Sequence, residues 1–194
     1  MNRWVPSVFE ESSNGINIIP IQTKHFTNRK LFLTGEVTDE MAIDFVSSFQ
    51  YLAQSSEPVD IYINSLGGSV NAGLVIYDLI QSAPFEVNLY CFGMAASMGA
   101  IILAGGKKGH RFILPHSKVM IHEPLIEGGM GGSATSIKKT SDSILETKDI
   151  LNNILVKHTS KTLDEINEAT SFDNYMNAEE AIKFGLCDEI RDLF

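Results

Sequence analysis

The serine at position 97 is the residue best placed to do chemistry, because of the stretch that contains it. Residues 91–105, CFGMAASMGAIILAG, change from an apolar run into a block of very small residues that carries Ser97. Gly93 permits a tight turn, and the residues after it predict a helix over 95–103 that is apolar on every side. A serine at the start of such a helix lies among free backbone N–H groups, which can stabilise a developing oxyanion. Ser97 is therefore a candidate nucleophile, and the alternative is a serine that caps or packs the helix.

A histidine at a strand end is the second candidate. Residues 119–121 predict a short apolar strand that delivers His122, and Pro124 stops the strand soon afterwards. Such a histidine is held by a stiff backbone and can serve as a base, or it can be an ordinary polar terminus. Ile126 stands four residues after His122, so the H-E-x-x-H pattern of a zinc site is absent. The remaining histidines show no partner spacing, and we expect at the surface His25, His110, His116 and His158.

Composition limits the classes of protein to which these candidates can belong. The 194 residues are 44% hydrophobic, which is enough for one sizeable core and predicts a single domain over 1–194. An excess of 24 acidic over 15 basic residues argues against nucleic acid and membrane as partners. The sequence has no long apolar run and no secretory signal pattern, so we expect a cytoplasmic protein. Cys91 and Cys187 lie apart in apolar contexts, which fits a reducing compartment and predicts neither a disulfide nor a metal site.

The elements that must position the candidates alternate between strand and helix. The periodicity and turn signals predict strands over 30–34, 59–63 and 86–91 and helices from Thr38 to about 55 and over 70–82. This alternation indicates an α/β fold with a largely parallel sheet that is covered on both sides. The Gly67-Gly68 turn and the turn before Ser97 then emerge at the same carboxyl edge, where their amides can converge. Neither turn matches a nucleotide-binding loop, so we expect no cofactor in this chain.

The second half of the chain predicts a long helix. Residues 126–133, IEGGMGGS, predict a mobile glycine-rich loop, and an amphipathic helix follows over 134–159. At this length the helix spans roughly 38 Å, so its first half is expected to protrude toward another subunit; a long surface helix is the alternative. The remaining elements are a helix over 163–169, a loop over 170–177, a helix over 178–184 and a strand over 186–190. Residues 1–20 lack a clear period and are interpreted as an arm or loop.

Four motifs, in this order and spacing, resemble the ClpP family of caseinolytic peptidases over nearly the whole chain. The motifs are INSLGGS at 63–69, GMAASMGA at 93–100, VMIHEP at 119–124 and NAEEAIKFGLCDEI at 177–190. The resemblance implies that Ser97 is the nucleophile, His122 the general base and acid, and Asp173 the carboxylate that orients His122. It also implies an oxyanion hole made by the amides of Gly68 and Met98. The residues alone leave other carboxylates open as the third member, namely Asp142, Asp149, Asp164 and Asp188.

The resemblance further implies an architecture and partners. The expected fold is a ClpP/crotonase-like ββα spiral head, with residues 126–159 forming the glycine-rich loop and a protruding handle helix. Residues 1–20 would be an axial loop. Heptameric rings would stack in pairs through their handles and enclose the active sites. A partner ATPase of the ClpX, ClpA or ClpC kind would hydrolyse ATP and deliver unfolded proteins, which this subunit would cleave to short peptides.

Five positions depart from the family's pattern, and the minor one is Leu66, which replaces the proline of the family's INSPGG turn. Ser171-Phe172 stand where the family has the acidic and basic pair that bridges the two rings. Asp60 and Ser82 stand at two aromatic positions of the ATPase docking pocket, whereas Tyr62 is retained. We therefore infer a divergent paralogue that docks ATPases poorly or works in a mixed ring with a second ClpP.

Two other functions stay open at this point. A crotonase-type acyl-CoA enzyme shares the spiral fold and the paired-amide oxyanion hole, but it does not need Ser97, His122 and Asp173 together. The second alternative is a structural or regulatory ring subunit with little activity. It is favoured by Ser171-Phe172, but the joint presence of the three proposed catalytic residues opposes it.

Overall fold

The computed structural model describes residues 6–13, 15–126 and 131–192. The described strands are β1 (Ser7–Ser12), β2 (Gly15–Pro20), β3 (Lys30–Val37), β4 (Val59–Gly68), β5 (Val87–Ala96), β6 (Arg111–Ile113), β7 (Lys118–Ile121), β8 (Asn174–Asn177) and β9 (Glu189–Ile190). The described helices are α1 (Ile21–Thr27), α2 (Asp39–Leu52), α3 (Val70–Gln81), α4 (Met98–Ala104), α5 (Ala134–Thr159), α6 (Leu163–Thr170) and α7 (Ala178–Phe184). The predicted α/β class is confirmed by this alternation.

Seven of the strands form one sheet, and it is largely parallel, as predicted. Strands β3, β4, β5, β6 and β9 lie side by side in parallel register. Strand β7 continues beside the end of β5, also in parallel, and β8 pairs with β7 in antiparallel register. The sheet therefore gathers the carboxyl ends of β4, β5 and β7 at one edge.

One face of the sheet is the core of the molecule. Strand β4 alternates strictly, with Val59, Ile61 and Ile63 fully buried, and α4 is buried along its whole length. The opposite face carries a row of packed aromatic side chains, in which Phe32 is exposed, Tyr62 and Tyr90 are half-buried and Phe112 is buried. The prediction that both faces are covered is wrong for this part of the sheet, because Phe32, Tyr62 and Tyr90 stay partly exposed.

Several element boundaries differ from prediction. Strands β3 and β4 extend past their predicted ends at 34 and 63 to Val37 and Gly68, which pair with each other, and β9 is shorter than the predicted 186–190. Strand β5 does not end at residue 91 but continues to Ala96, since its last residues pair with β7. Gly93, with a φ of +85°, lies inside this strand, and α4 consequently begins at Met98 rather than at 95. The predicted loop over 170–177 contains a strand, β8, which also exists through pairing with β7.

The amino-terminal arm is an antiparallel hairpin of β1 and β2 rather than an irregular segment. Its apolar side chains Phe9, Ile16 and Ile18 are exposed, since within the described residues no second layer packs on them. That exposure explains why the segment shows no burial period. Residues 1–5 and 14 of the predicted arm lie outside the described residues.

Helix α5 has the predicted bounds, Ala134–Thr159. Its buried residues all lie near its end: Leu151, Asn152, Leu155 and Thr159. The first half therefore extends away from the core, as predicted. Residues 127–130 of the predicted glycine-rich loop lie outside the described residues.

None of the helices in the described ranges combines the length and the apolar character needed to cross a bilayer.

Candidate active site

Ser97 lies at a sharp and strained junction between β5 and α4. Its backbone has φ of +53° and ψ of −121°, which a residue with a side chain rarely adopts. Such a conformation costs on the order of 1–3 kcal/mol and persists only where the surroundings enforce it. The tight packing requires glycine nearby, since a Cβ on Gly67 would lie 2.6 Å from Ser97 Cβ. The strand–turn–helix geometry presents the hydroxyl at the carboxyl edge of the sheet, as nucleophilic serines require.

Strand β7 brings His122 to this serine. Ala96 pairs with Met120, and the Ser97 amide donates to the Met120 carbonyl at 2.9 Å. His122 follows the strand, and its Nε2 lies 2.9 Å from Ser97 Oγ. Just beyond it, the Glu123 amide donates to the Thr170 carbonyl at 2.8 Å, which fixes the backbone on the other side. The imidazole is thus positioned by main-chain hydrogen bonds on both sides.

Strand β8 brings Asp173 to the other nitrogen of the same ring. Ile121 pairs with Asn174, so Asp173 lies beside His122, and Asp173 Oδ1 is 3.1 Å from His122 Nδ1. An ionised carboxylate only accepts hydrogen bonds, so this contact places a proton on Nδ1 and leaves Nε2 to accept from Ser97. The imidazole side chain is 15% exposed, whereas the carboxylate is 60% exposed. The three side chains form one hydrogen-bonded chain.

The other carboxylates that the sequence left open do not contact His122 in the described structure. Asp188 forms an ion pair with the buried Arg111, at 2.5 Å from Oδ1 to Nη2. Partial burial alone would raise the pKa of Asp188, but the hydrogen bonds from Arg111 outweigh it and hold the pKa below its ordinary value. The remaining three carboxylates lie on helices, with Asp142 and Asp149 on α5 and Asp164 on α6.

The two turns that were predicted to converge do so. A Cβ on Gly67 would lie 3.1 Å from the Met98 amide nitrogen, so the end of β4 is in contact with the start of α4. Gly68 is equally constrained, since its φ is +145° and a Cβ there would lie 2.4 Å from the Val37 carbonyl oxygen. The Met98 amide belongs to the first residue of α4, where amides have no partner within the helix. Gly68 lines the same cleft as Ser97, and the Met98 amide directly follows Ser97 in the chain.

A cleft of about 480 Å³ opens next to Ser97 and His122. Its walls include residues that sequence reasoning did not assign to a site, namely Glu36, Leu66, Val70, Ile101, Pro124, Leu125 and Leu151. Val70 and Leu151 occur in the apolar stripes of their helices, where a core residue and a cleft residue have the same periodicity. Glu36 follows the buried part of β3. The irregularity at Gly35 is the signal in β3 that could have identified it as a cleft residue.

Three of the four histidines that were expected at the surface are instead half-buried, and for these three the prediction is wrong. His158 Nε2 lies 2.9 Å from the Tyr77 hydroxyl, and burial, together with Lys157 and Arg111, lowers its pKa to about 4. His110 Nδ1 lies 2.9 Å from Asn88 Oδ1. His25 is also half-buried, whereas His116 is exposed as predicted. The hydrogen-bond partners of His158 and His110 lie on distant segments of the chain, so local spacing could not predict the contacts.

The positions that depart from the ClpP pattern lie on two surfaces. Asp60 is on the partly covered sheet face and accepts a hydrogen bond from Asn88 Nδ2 at 3.0 Å. Ser82 ends α3, and its hydroxyl donates to the Asp78 carbonyl at 2.8 Å. Phe172 is 60% exposed beside Asp173. Neither Asp60 nor Ser82 supplies the apolar surface of an aromatic ring.

A serine, a histidine and a carboxylate in one hydrogen-bonded chain, at the edge of an α/β sheet, form the arrangement of serine hydrolases. The chain belongs to the Clp protease family, because the model of that family, described as Clp protease, matches residues 13–193. Membership implies a peptidase and sets aside the acyl-CoA enzyme that the spiral fold had left open. The family membership and the fold class predicted from the motifs are thereby confirmed.

Proposed function

We propose that this chain is a serine endopeptidase subunit that cleaves unfolded polypeptides to short peptides through an acyl-enzyme. The observation that carries the proposal is the hydrogen-bonded chain from Ser97 through His122 to Asp173. Serine is a weak nucleophile unless a neighbouring base takes its proton. The arrangement supplies that base and a carboxylate that orients it.

In the first half of the reaction, Ser97 Oγ attacks the carbonyl carbon of the scissile peptide bond. Its proton moves to His122 Nε2, and Asp173 stabilises the imidazolium that forms. The negative charge on the carbonyl oxygen is stabilised by the amides of Gly68 and Met98, which act as the oxyanion hole. The C–N bond then breaks, and His122 returns the proton to the leaving amine.

In the second half, a water molecule attacks the acyl-enzyme. His122 takes a proton from the water, and the oxyanion forms again at the same two amides. The ester bond to Ser97 breaks, the hydroxyl regains its proton from His122, and the carboxylic acid product leaves. The proposed cycle needs no cofactor in this chain.

A fluorophosphonate probe tests the nucleophile, because it labels only activated serines. We expect the wild type to be labelled and the Ser97→Ala variant to take no label. Ser69 offers a matched control, since it lines the same cleft but instead caps α3 by accepting from the Ala72 amide. The Ser69→Ala variant should keep its label, and equal labelling of wild type and Ser97→Ala would contradict the proposal.

We also propose heptameric rings that stack in pairs through the first half of α5. Support comes from exposed apolar side chains on a helix segment that extends from the core, including Ile137 and Leu145. We expect light scattering of the native particle to give a double ring for the wild type and a smaller particle for Leu145→Glu. The Glu146→Gln variant, one residue further on, is the control. A wild type that stays monomeric would contradict this assembly.

The proposed partner is a Clp-type ATPase of the ClpX, ClpA or ClpC kind, which would hydrolyse ATP and deliver unfolded proteins. The stacked pair of the exposed Phe32 and the half-buried Tyr62 supports an apolar docking site, but Asp60 and Ser82 reduce its apolar surface. We therefore propose weak docking by homomeric rings. An ATPase that binds these rings as tightly as it binds a family member with aromatic residues at both positions would contradict weak docking.

The two free, buried cysteines support a reducing cytoplasm as the location.

A weakly active paralogue within a mixed ring with a second ClpP is the other candidate. It is favoured by the exposed Phe172, which stands in place of a charged ring contact beside Asp173. The same labelling experiment separates the two candidates when particle size is measured in parallel. Rings that take no label alone, but take it after mixing with a second ClpP, would favour the mixed ring.

A further inference from the structure

The cleft beside Ser97 has two ends of different chemistry. One end is apolar and formed by side chains from three helices and the segment after His122, namely Val70, Met98, Ile101, Pro124 and Leu151. Met98, Ile101 and Leu151 are almost completely buried, so this apolar pocket lies against the core of the molecule. The other end is open and is formed by Glu36 and the exposed Leu66.

Glu36 is held against the turn that carries the Gly68 amide. Strands β3 and β4 pair Glu36 with Gly67 and Val37 with Gly68. A Cβ on Gly68 would lie 3.0 Å from Glu36 Cγ, so the side chain of Glu36 is packed directly on this turn. Because β3 is the last strand of the sheet in the described structure, nothing there covers the outer side of Glu36.

The carboxylate of Glu36 is an unpaired negative charge. In the described ranges, no lysine, arginine or histidine nitrogen lies within ion-pair distance of it, and its side chain is exposed. Glu123, which is next to His122, is by contrast paired with Lys148 at 2.6 Å. Among the described residues that line the cleft, Glu36 is the only acidic one.

We propose that Glu36 determines specificity by selecting a lysine or arginine side chain next to the scissile bond, an inference that rests on the proposed peptidase function. A substrate carbonyl at the Gly68 and Met98 amides directs one neighbouring side chain into the apolar pocket. The side chain across the scissile bond is directed toward Glu36. A cation there gains a charge-assisted hydrogen bond, whereas an acidic side chain is repelled. The preferred cleavage site therefore joins an apolar residue to a basic one.

Two matched peptides measure this selection. They share one apolar residue at the scissile bond and differ only in the residue across it, which is lysine in one and glutamine in the other. For the wild type we expect kcat/KM to favour the lysine peptide roughly two- to fivefold, the size of one exposed ion pair. The preference should shrink in high salt, because the pair is open to solvent.

Three variants complete the experiment. Glu36→Gln is nearly isosteric and should bring the preference to about one, and Glu36→Lys should favour a glutamate peptide. Glu40→Gln is the control, since Glu40 lies on α2 and lines a different cavity. Cleavage sites mapped by mass spectrometry in a chemically unfolded protein should show the same shifts, while the apolar preference stays.

Labelling with the fluorophosphonate probe normalises each variant for active sites and separates two kinds of failure. Full labelling with the same peptide ratio in wild type and Glu36→Gln would overturn the role of Glu36 and leave the peptidase intact. Absence of both labelling and cleavage in every variant would overturn the peptidase function, and the specificity proposal with it.

Discussion

His122 Nδ1 and Asp173 Oδ1 lie 3.1 Å apart, although 51 residues separate them in the chain. Their contact follows from the antiparallel pairing of β7 with β8, which sets Ile121 opposite Asn174. Strand β7 has only four residues, but it also pairs with the end of β5, from which Ser97 extends. This one short strand therefore positions the hydroxyl and the carboxylate on either side of the imidazole.

Replacing Asp173 with asparagine should lower kcat by about 10²- to 10⁴-fold with little change in KM. The amide can donate to Nδ1 and so favours the tautomer that cannot accept from Ser97. Because Asp173 is an exposed side chain, the free energy of unfolding should change little. Steady-state hydrolysis of a fluorogenic peptide measures the effect. The Asp142→Asn variant, on the exposed face of α5, should keep full activity, and an equally active Asp173→Asn would remove Asp173 from the proposed mechanism.

Replacing Gly67 with alanine should abolish labelling of Ser97 and lower the free energy of unfolding. The new methyl group would lie 2.6 Å from Ser97 Cβ and 2.9 Å from the Ala96 carbonyl oxygen, and φ is +95°. Gly35 is the matched control, because its φ is +91° but a Cβ there meets nothing within 4 Å. Gly35→Ala should cost only the backbone strain, roughly 1–3 kcal/mol, and keep the label. Urea unfolding and probe labelling measure both effects, and unchanged labelling in Gly67→Ala would contradict the argument.

Replacing Asp188 with alanine should destabilise the protein by about 3–5 kcal/mol, because it leaves a buried charge without its partner. Arg111 is 2% exposed, and within the described residues its guanidinium donates to Asp188 and to the carbonyl oxygens of Ala104, His158 and Gly185. Glu189→Ala is the control, since its ion pair with Arg191 is at the surface and should contribute under about 1 kcal/mol. Denaturant unfolding measures both, and equal losses in the two variants would contradict the assignment.

The neutral, half-buried His158 should make stability fall as the pH is lowered from 7 to 5. Its pKa is about 4 in the folded protein, against an ordinary value of 6.5, so between these values the unfolded chain binds more protons. Folding stability therefore rises with pH across this window and is lost as the pH falls through it. The midpoint of thermal unfolding at the two pH values measures the effect.

The variants His158→Gln and His116→Gln separate this effect from the titration of other groups. The first should show a smaller loss between pH 7 and 5 than the wild type. The second removes an exposed histidine and should keep the wild-type loss. An undiminished loss in His158→Gln would show that other groups cause the pH dependence.

Local patterns in the sequence were sufficient for five of the seven described helices, whereas α1 was not predicted and α4 begins at Met98 rather than at 95. Helix α5 and helix α7 have the predicted bounds, since their starts and ends are set by residues within one turn: Ser133 caps α5, and Asn177 and Gly185 bound α7. The glycine pair that was predicted as a turn forms the end of β4, where the positive φ of Gly67 and Gly68 favours that residue type. The motif resemblance indicated the family that the comparison then showed.

The α/β class, most of the helices and the residue types available for catalysis follow from the sequence alone, because these depend on short-range periodicity and capping. Only the tertiary structure decided the extension of β5 to Ala96, the existence of β8 and the contact of Asp173 with His122. All three depend on hydrogen bonds to β7, whose partners are distant in the chain. The same reason applies to Glu36, which borders the cleft only because β3 is paired with β4. Pairing between distant strands leaves no periodic trace in either segment, so the geometry of the site becomes visible only in the folded chain.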